Sequence, residues 1–161
     1  DPIAIKVLDT NRMGRYWLAL TLAVALLVGG TTVATRIHRD SPRSHLLRGQ
    51  QAIEAEAWDE AALELQQALS KDPSLGEVTT YFYLGLAHSY LEEPQQAAQA
   101  YEAALEQDAN HTPSLWNLAI TNLDLARYAE ARAQFERYTE IYPAGLVETQ
   151  PYLDELTRLG Y

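Results

Sequence analysis

The sequence predicts an all-α chain: one helix long and apolar enough to cross a membrane, then a stack of paired helices, then a closing helix. Three observations predict it. Residues 16–35 read YWLALTLAVALLVGGTTVAT without a single charge. Small and large side chains recur through the following hundred or so residues at intervals of 36 and 34. Residues 149–160, TQPYLDELTRLG, carry helix-start and helix-stop signals after the last recurrence.

At about 1.5 Å per residue, a helix over 16–35 spans roughly 30 Å, the thickness of a hydrocarbon core. Arg15 and Arg36 bracket it, and Tyr16 and Trp17 sit at one edge, where amphipathic rings favour the interface. Thr32-Val33-Ala34-Thr35 resembles a signal-peptide cleavage region, but the apolar stretch is long for one and about fifteen residues precede it. The expectation is an uncleaved single-pass anchor, with a tail at 1–15 and a linker at 36–41. Asp1 in place of methionine is expected of a processed chain or of part of a longer one. Ala19, Ala23, Gly30 and Ala34 fall near one helical face, the small-residue pattern that lets a second transmembrane helix approach. Alanine and glycine are also common in membrane helices generally. Three Lys/Arg precede the segment and four follow, so a periplasmic or a cytoplasmic position of the later residues fits almost equally.

Charge separates the two parts. Residues 1–48 carry seven Lys/Arg against three Asp, a net of +4, and residues 49–161 carry five against nineteen Asp/Glu, a net of −14. A part this acidic is repelled by phosphate backbones, which excludes a nucleic-acid partner. The absence of cysteine removes disulfides, zinc–thiolate sites and thiol nucleophiles.

The recurrence is explicit. Gly49, Gly85 and Ala119 are spaced by 36 and 34, as are Ala61, Ala97 and Ala131; Leu65, Tyr101 and Phe135; and Pro73, Ala109 and Pro143. Gly76 and Glu77 make up the two extra residues. Small residues fit where two helices cross closely, and Leu65, Tyr101 and Phe135 fit as the knobs that fill the space between. Asp72-Pro73-Ser74 and Tyr142-Pro143 end helices, because proline disfavours helix at the residue before it. Pro94 can open one, in the first turn.

These spacings resemble the tetratricopeptide repeat family, in three 34-residue units at 42–75, 78–111 and 112–145. The second unit supplies Tyr81, Leu84, Gly85, Ala97, Tyr101 and Ala104 at the family's characteristic positions. The third departs at Tyr138, where a small residue is usual, and the first at His45 and Arg48, where apolar ones are. The resemblance implies a right-handed α-solenoid of three hairpins over 42–145, and residues 146–161 are expected to cap it. Within that helix Thr149 is the expected N-cap, Pro151 lies in the first turn, and Gly160 is the stop.

The resemblance also implies a groove lined by the first helix of each hairpin. Its positions carry over to Leu46, Gln50 and Ile53; Phe82, Leu86 and Tyr90; and Trp116, Ile120 and Leu123. The family's clamp for C-terminal carboxylates uses lysine, arginine and asparagine at such positions, so that clamp is absent. An apolar, aromatic groove suits a partner's helix or extended segment. The alternative is that the chain's own last helix or neighbouring hairpins bury these side chains.

Nothing in the sequence assembles chemistry. His38, His45, His88 and His111 have no metal-ligand spacing, and His38 and His45, among arginines beside the anchor, are read as solvated or lipid-facing. Phosphate loops and nucleophile elbows are missing, and Asp59-Glu60 and Glu92-Glu93 read as exposed residues near helix starts. Asn110-His111-Thr112 matches a glycosylation sequon, relevant only in a eukaryotic secretory setting. No cofactor and no catalysis are expected. The expectation is a bacterial inner-membrane scaffold, an accessory or assembly subunit that binds protein subunits through the groove and laterally through its anchor in the lipid. The rival is a permanent structural subunit of a respiratory, photosynthetic or transport complex.

Overall fold

The computed structural model describes residues 40–161. The expected anchor at 16–35, its packing residues Ala19, Ala23, Gly30 and Ala34, and the tail before it lie outside the described residues. Among the described residues no helix is long and apolar enough to cross a membrane.

Seven α-helices and no strand make up the described part. They run α1 (Pro42–Glu54), α2 (Trp58–Lys71), α3 (Val78–Tyr90), α4 (Pro94–Gln107), α5 (Thr112–Asp124), α6 (Tyr128–Ile141) and α7 (Leu146–Leu159). Local chemistry places the ends. The Ser41 hydroxyl accepts from the Ser44 N–H at 3.2 Å, capping α1 beside Pro42. Short 3₁₀ turns at Pro73–Leu75 and Pro143–Gly145 follow α2 and α6, where proline stops the helix. Pro94 opens α4.

Each hairpin is held by one small-to-large contact. A Cβ on Gly49 would lie 2.7 Å from the Leu65 side chain, and one on Gly85 would lie 2.6 Å from the Tyr101 ring, so neither position accepts even alanine without displacement. Leu65, Tyr101 and Phe135 are fully buried, as are Ala61, Ala97 and Ala131. Three apolar clusters form, around Leu65, Tyr101 and Phe135 in turn, and each takes in residues of the next hairpin or of α7. Tyr138 departs from the expected small residue because its ring lies where a Cβ on Gly145 would be.

Two expectations are corrected. His45 is not solvated: it is 3% exposed, and its Nδ1 lies 2.6 Å from Glu64 Oε2, which also accepts from Arg48 Nη2 at 2.9 Å. An apolar position is thus filled by a hydrogen-bonded polar group, which is how buried polar groups are tolerated. Burial raises the Glu64 carboxyl pKa, but the hydrogen bonds and charges of Arg48 and His45 outweigh it and hold the pKa below the ordinary value. That contribution to stability is present above the ordinary carboxylate range and is lost as pH falls through the lowered value. The second correction concerns Thr149, which is not an N-cap. The helix begins three residues earlier at Leu146, and buried Thr149 bonds back to Gly145 O and Leu146 O, both at 3.2 Å. Pro151 therefore lies inside α7, where it removes the bond to the carbonyl of exposed Val147. Gly160 does end the helix, at φ 91°.

Candidate protein-binding face

The first helices form one row. α1 touches α3 and α3 touches α5, whereas α2, α4 and α6 meet one another less closely. Closer approach on one side of the stack puts the row of first helices on its inner side. Their sequence makes that face apolar and aromatic.

The nine expected groove residues fall into two groups. In the first two hairpins, Leu46 and Ile53 are half-buried against the Leu65 cluster, and Gln50 lies half-buried between them. Phe82 is half-buried against Tyr101, ring centroids 6.0 Å apart, with the His111 ring edge-on at 5.3 Å. Leu86 is half-buried, and Tyr90 is 61% exposed. Among the described residues no further helix packs across α1 and α3.

The third hairpin differs. Trp116 meets Phe135 edge-on at 5.6 Å, Tyr138 at 5.4 Å, and Tyr152 of α7 at 6.0 Å. Ile120 and Leu123 join the same cluster, around Phe135 and Leu156. Leu123 also borders an apolar groove of about 460 Å³ beside Tyr128, Tyr152 and Leu159. In the third hairpin Trp116, Ile120 and Leu123 thus join a cluster that includes Leu156 of α7, whereas no described helix packs across α1 and α3. Arg132 fastens α7 by donating to Thr157 Oγ1 at 2.9 Å and to the Tyr161 carbonyl at 2.6 Å.

Sequence reasoning missed two features of this face. Trp58, the first residue of α2, stacks on Tyr90 with centroids 4.1 Å apart and planes within 6°. The repeat interval from Trp58 lands on Pro94 and Tyr128, unlike side chains, so the recurrence did not mark it. The second feature is a cleft of about 270 Å³ between the second and third hairpins, lined by Ser89, Glu92, Pro94, Thr121 and Asp124. Buried His88 has a structural role. Its Nδ1 lies 2.6 Å from Glu93 Oε2, and its Nε2 lies 2.9 Å from the Gln66 amide nitrogen, which ties α2 to the next hairpin. Among the described residues no three His, Asp or Glu side chains gather as metal ligands do.

Several solved structures share this architecture. YrrB, a TPR protein with an unusual peptide-binding site, superposes with a TM-score of 0.70 at 18% identity, over 90% of this chain and 73% of that one. MamA gives 0.64 at 16% identity, over 79% and 78%. The first TPR of Spaghetti (RPAP3), bound to an HSP90 peptide SRMEEVD, gives 0.63 at 17% identity, over 74% and 92%. At these identities the likeness is one of fold. No curated protein sequence matches the chain. Two family models described as tetratricopeptide repeat match residues 44–110 and 89–145, together most of the described part. The helical hairpins, their small-to-large contacts and these matches agree: the chain belongs to the tetratricopeptide repeat family.

Proposed function

We propose that this protein is a membrane-tethered scaffold that holds another protein, as an accessory or assembly subunit of a larger membrane complex, and that it is not an enzyme. One observation carries the reading: no described helix packs across α1 and α3, the helices that bear Leu46, Phe82, Leu86 and Tyr90. Aromatic and aliphatic side chains on a rigid face are what a partner segment desolvates when it binds. Tetratricopeptide domains of the same fold hold peptides, as the RPAP3 complex with an HSP90 peptide does. The tether rests on the uncharged stretch at 16–35 and its flanking arginines.

Crosslinking in intact membranes, followed by purification in mild detergent, tests this. The expected result is a chain that resists carbonate extraction and yields crosslinks mapping to α1 and α3. Recovery with a complex in variable, sub-stoichiometric amounts marks an assembly subunit, and constant stoichiometry marks the permanent structural subunit instead. Release by carbonate sinks the tether, and crosslinks confined to α2, α4 and α6 sink the inner-face site.

A further inference from the structure

The charge around the inner face says what kind of segment it takes. Between Lys71 and Arg127 the sequence has no Lys or Arg at all, while it contains Asp72, Glu77, Glu92, Glu93, Glu102, Glu106, Asp108 and Asp124. The whole middle hairpin therefore lacks a permanent positive charge. Its carboxylates are not spread evenly around the face. Glu54 ends α1, Asp124 ends α5, and Glu92 and Glu93 lie in the turn after α3, so each first helix delivers acid to the same edge of the stack.

Glu92 and Asp124 line the cleft of about 270 Å³ at that edge. Both are exposed, and neither has an ion pair among the described residues. The cleft's hydroxyls are already used: Ser89 Oγ pairs with the Tyr101 hydroxyl at 3.1 Å, and Thr121 Oγ1 donates to Asn117 O at 2.7 Å. Arg127 is the one cation in the three hairpin turns, and it too has no ion pair with either carboxylate. The amino end of α4, at Pro94, adds about half a positive charge, and the carboxyl ends of α3 and α5 add about half a negative charge each. The two full carboxylates decide the sign. Further along the same edge, exposed Tyr90 stacks on half-buried Trp58 and leaves its outer face open, a face that attracts guanidinium and ammonium groups.

We propose that the inner face of the first two hairpins seats a cationic amphipathic protein segment. Its apolar side chains lie on Leu46, Phe82 and Leu86, and its arginines or lysines reach Tyr90 and the Glu92–Asp124 cleft. The charge is opposite to that of an acidic tail such as the SRMEEVD peptide held by the RPAP3 domain. The proposal rests on the scaffold reading and narrows it to one class of partner.

Selection of random peptides, about 12 residues long, on the full chain in neutral detergent tests it. The expected winners alternate Arg or Lys with large apolar residues. Their affinity falls about three- to tenfold in the Glu92→Gln/Asp124→Asn double variant, and by a similar factor from low to physiological salt. SRMEEVD serves as the acidic control. Acidic or uncharged winners that still lose affinity on Leu86→Ser overturn the cationic assignment and leave the scaffold standing. No enrichment of any peptide overturns both. The double variant's thermal melt checks that it folds, and the salt titration on the unaltered chain probes the same charge attraction without any substitution.

Discussion

Gly85 and Tyr101 show how a single pair of residues sets a hairpin. The ring occupies the volume that any side chain at 85 would need, so the two backbones approach to the distance the ring dictates. Burial of Tyr101 raises its hydroxyl pKa to about 12, with the Ser89 hydrogen bond opposing the shift. A folded pKa above the unfolded value means stability is intact below about pH 10 and drains away as pH rises towards 12. At about 1.4 kcal/mol per unit that is on the order of 2–3 kcal/mol. We expect alkaline melts to show this loss and Tyr101→Phe to flatten it, at a cost near neutrality of about 1 kcal/mol for the hydrogen bond. A Tyr101→Phe profile as steep as the parent's would assign the loss elsewhere. The small-to-large register was legible because side-chain size recurs there. The turn register was not. Glu56, Glu92 and Ala126 all adopt left-handed φ, at 55°, 57° and 56°, at the same 36 and 34 spacing but with no common residue type. In each turn the next residue's N–H reaches back five, as Arg127 N does to Asn122 O at 2.8 Å, so backbone bonding fixes the conformation whatever the side chain. Left-handed alanine costs about 1–2 kcal/mol, part of which glycine's larger unfolded-state entropy cancels. Ala126→Gly is therefore expected to raise stability by about 0.5–1 kcal/mol, read as a higher melting temperature.

Among the elements, α7 departs furthest from its sequence reading. Ser/Thr followed by proline suggests a helix start, yet Thr149 is interior because the backbone stays right-handed through Gly145 and the preceding 3₁₀ turn runs directly into the helix. The repeat interval carried into α7 replaces Leu115, Leu118 and Ala119 by Thr149, Tyr152 and Leu153. Leu153 falls 34 residues after Ala119, at the position that Gly49 and Gly85 hold in the first two hairpins. A leucine there holds off any closely crossed second helix, so α7 suits a cap. Tyr152 and Leu156 then cover the Phe135 cluster, so half-buried Trp116 packs against the chain's own last helix. That outcome could not be read from the first-helix positions, because it depends on what lies across them. We expect Trp116→Ala to cost about 2–4 kcal/mol, below a fully buried tryptophan's usual range because the residue is only half-buried. Amide hydrogen exchange should then speed up in α6 and α7 before α1 and α2, since each repeat leans only on its neighbours. Unchanged exchange in α7 would show that the helix does not depend on Trp116.

At the scale of the whole molecule, the charge imbalance acts on stability as well as on partner choice. With a net of −14 over residues 49–161, and no positive residue from 72 to 126, folding brings like charges together in the middle hairpin. Glu102 and Glu106 illustrate it, exposed on α4 at i, i+4, a pairing that destabilises a helix. Salt works in both directions. It screens repulsion, but it also weakens Arg132–Glu136 and Arg158–Glu155, which are surface pairs worth about 0–1 kcal/mol each. The Glu64 pairs are mostly enclosed, with 14% of that side chain exposed, and are screened much less. Repulsion among many exposed carboxylates should outweigh two surface pairs. Raising sodium chloride from about 20 to about 200 mM, across the range where the screening length drops through about 10 Å, should therefore raise the melting temperature by a few degrees. Sodium chloride is the appropriate salt, since sulfate would strengthen apolar burial by itself. Glu102→Gln/Glu106→Gln should raise stability at low salt and shrink the salt effect. A melting temperature that falls with salt, or a double variant as salt-sensitive as the parent, would mean that the surface ion pairs govern the balance and that the acidity of the middle hairpin is not a cost to the fold.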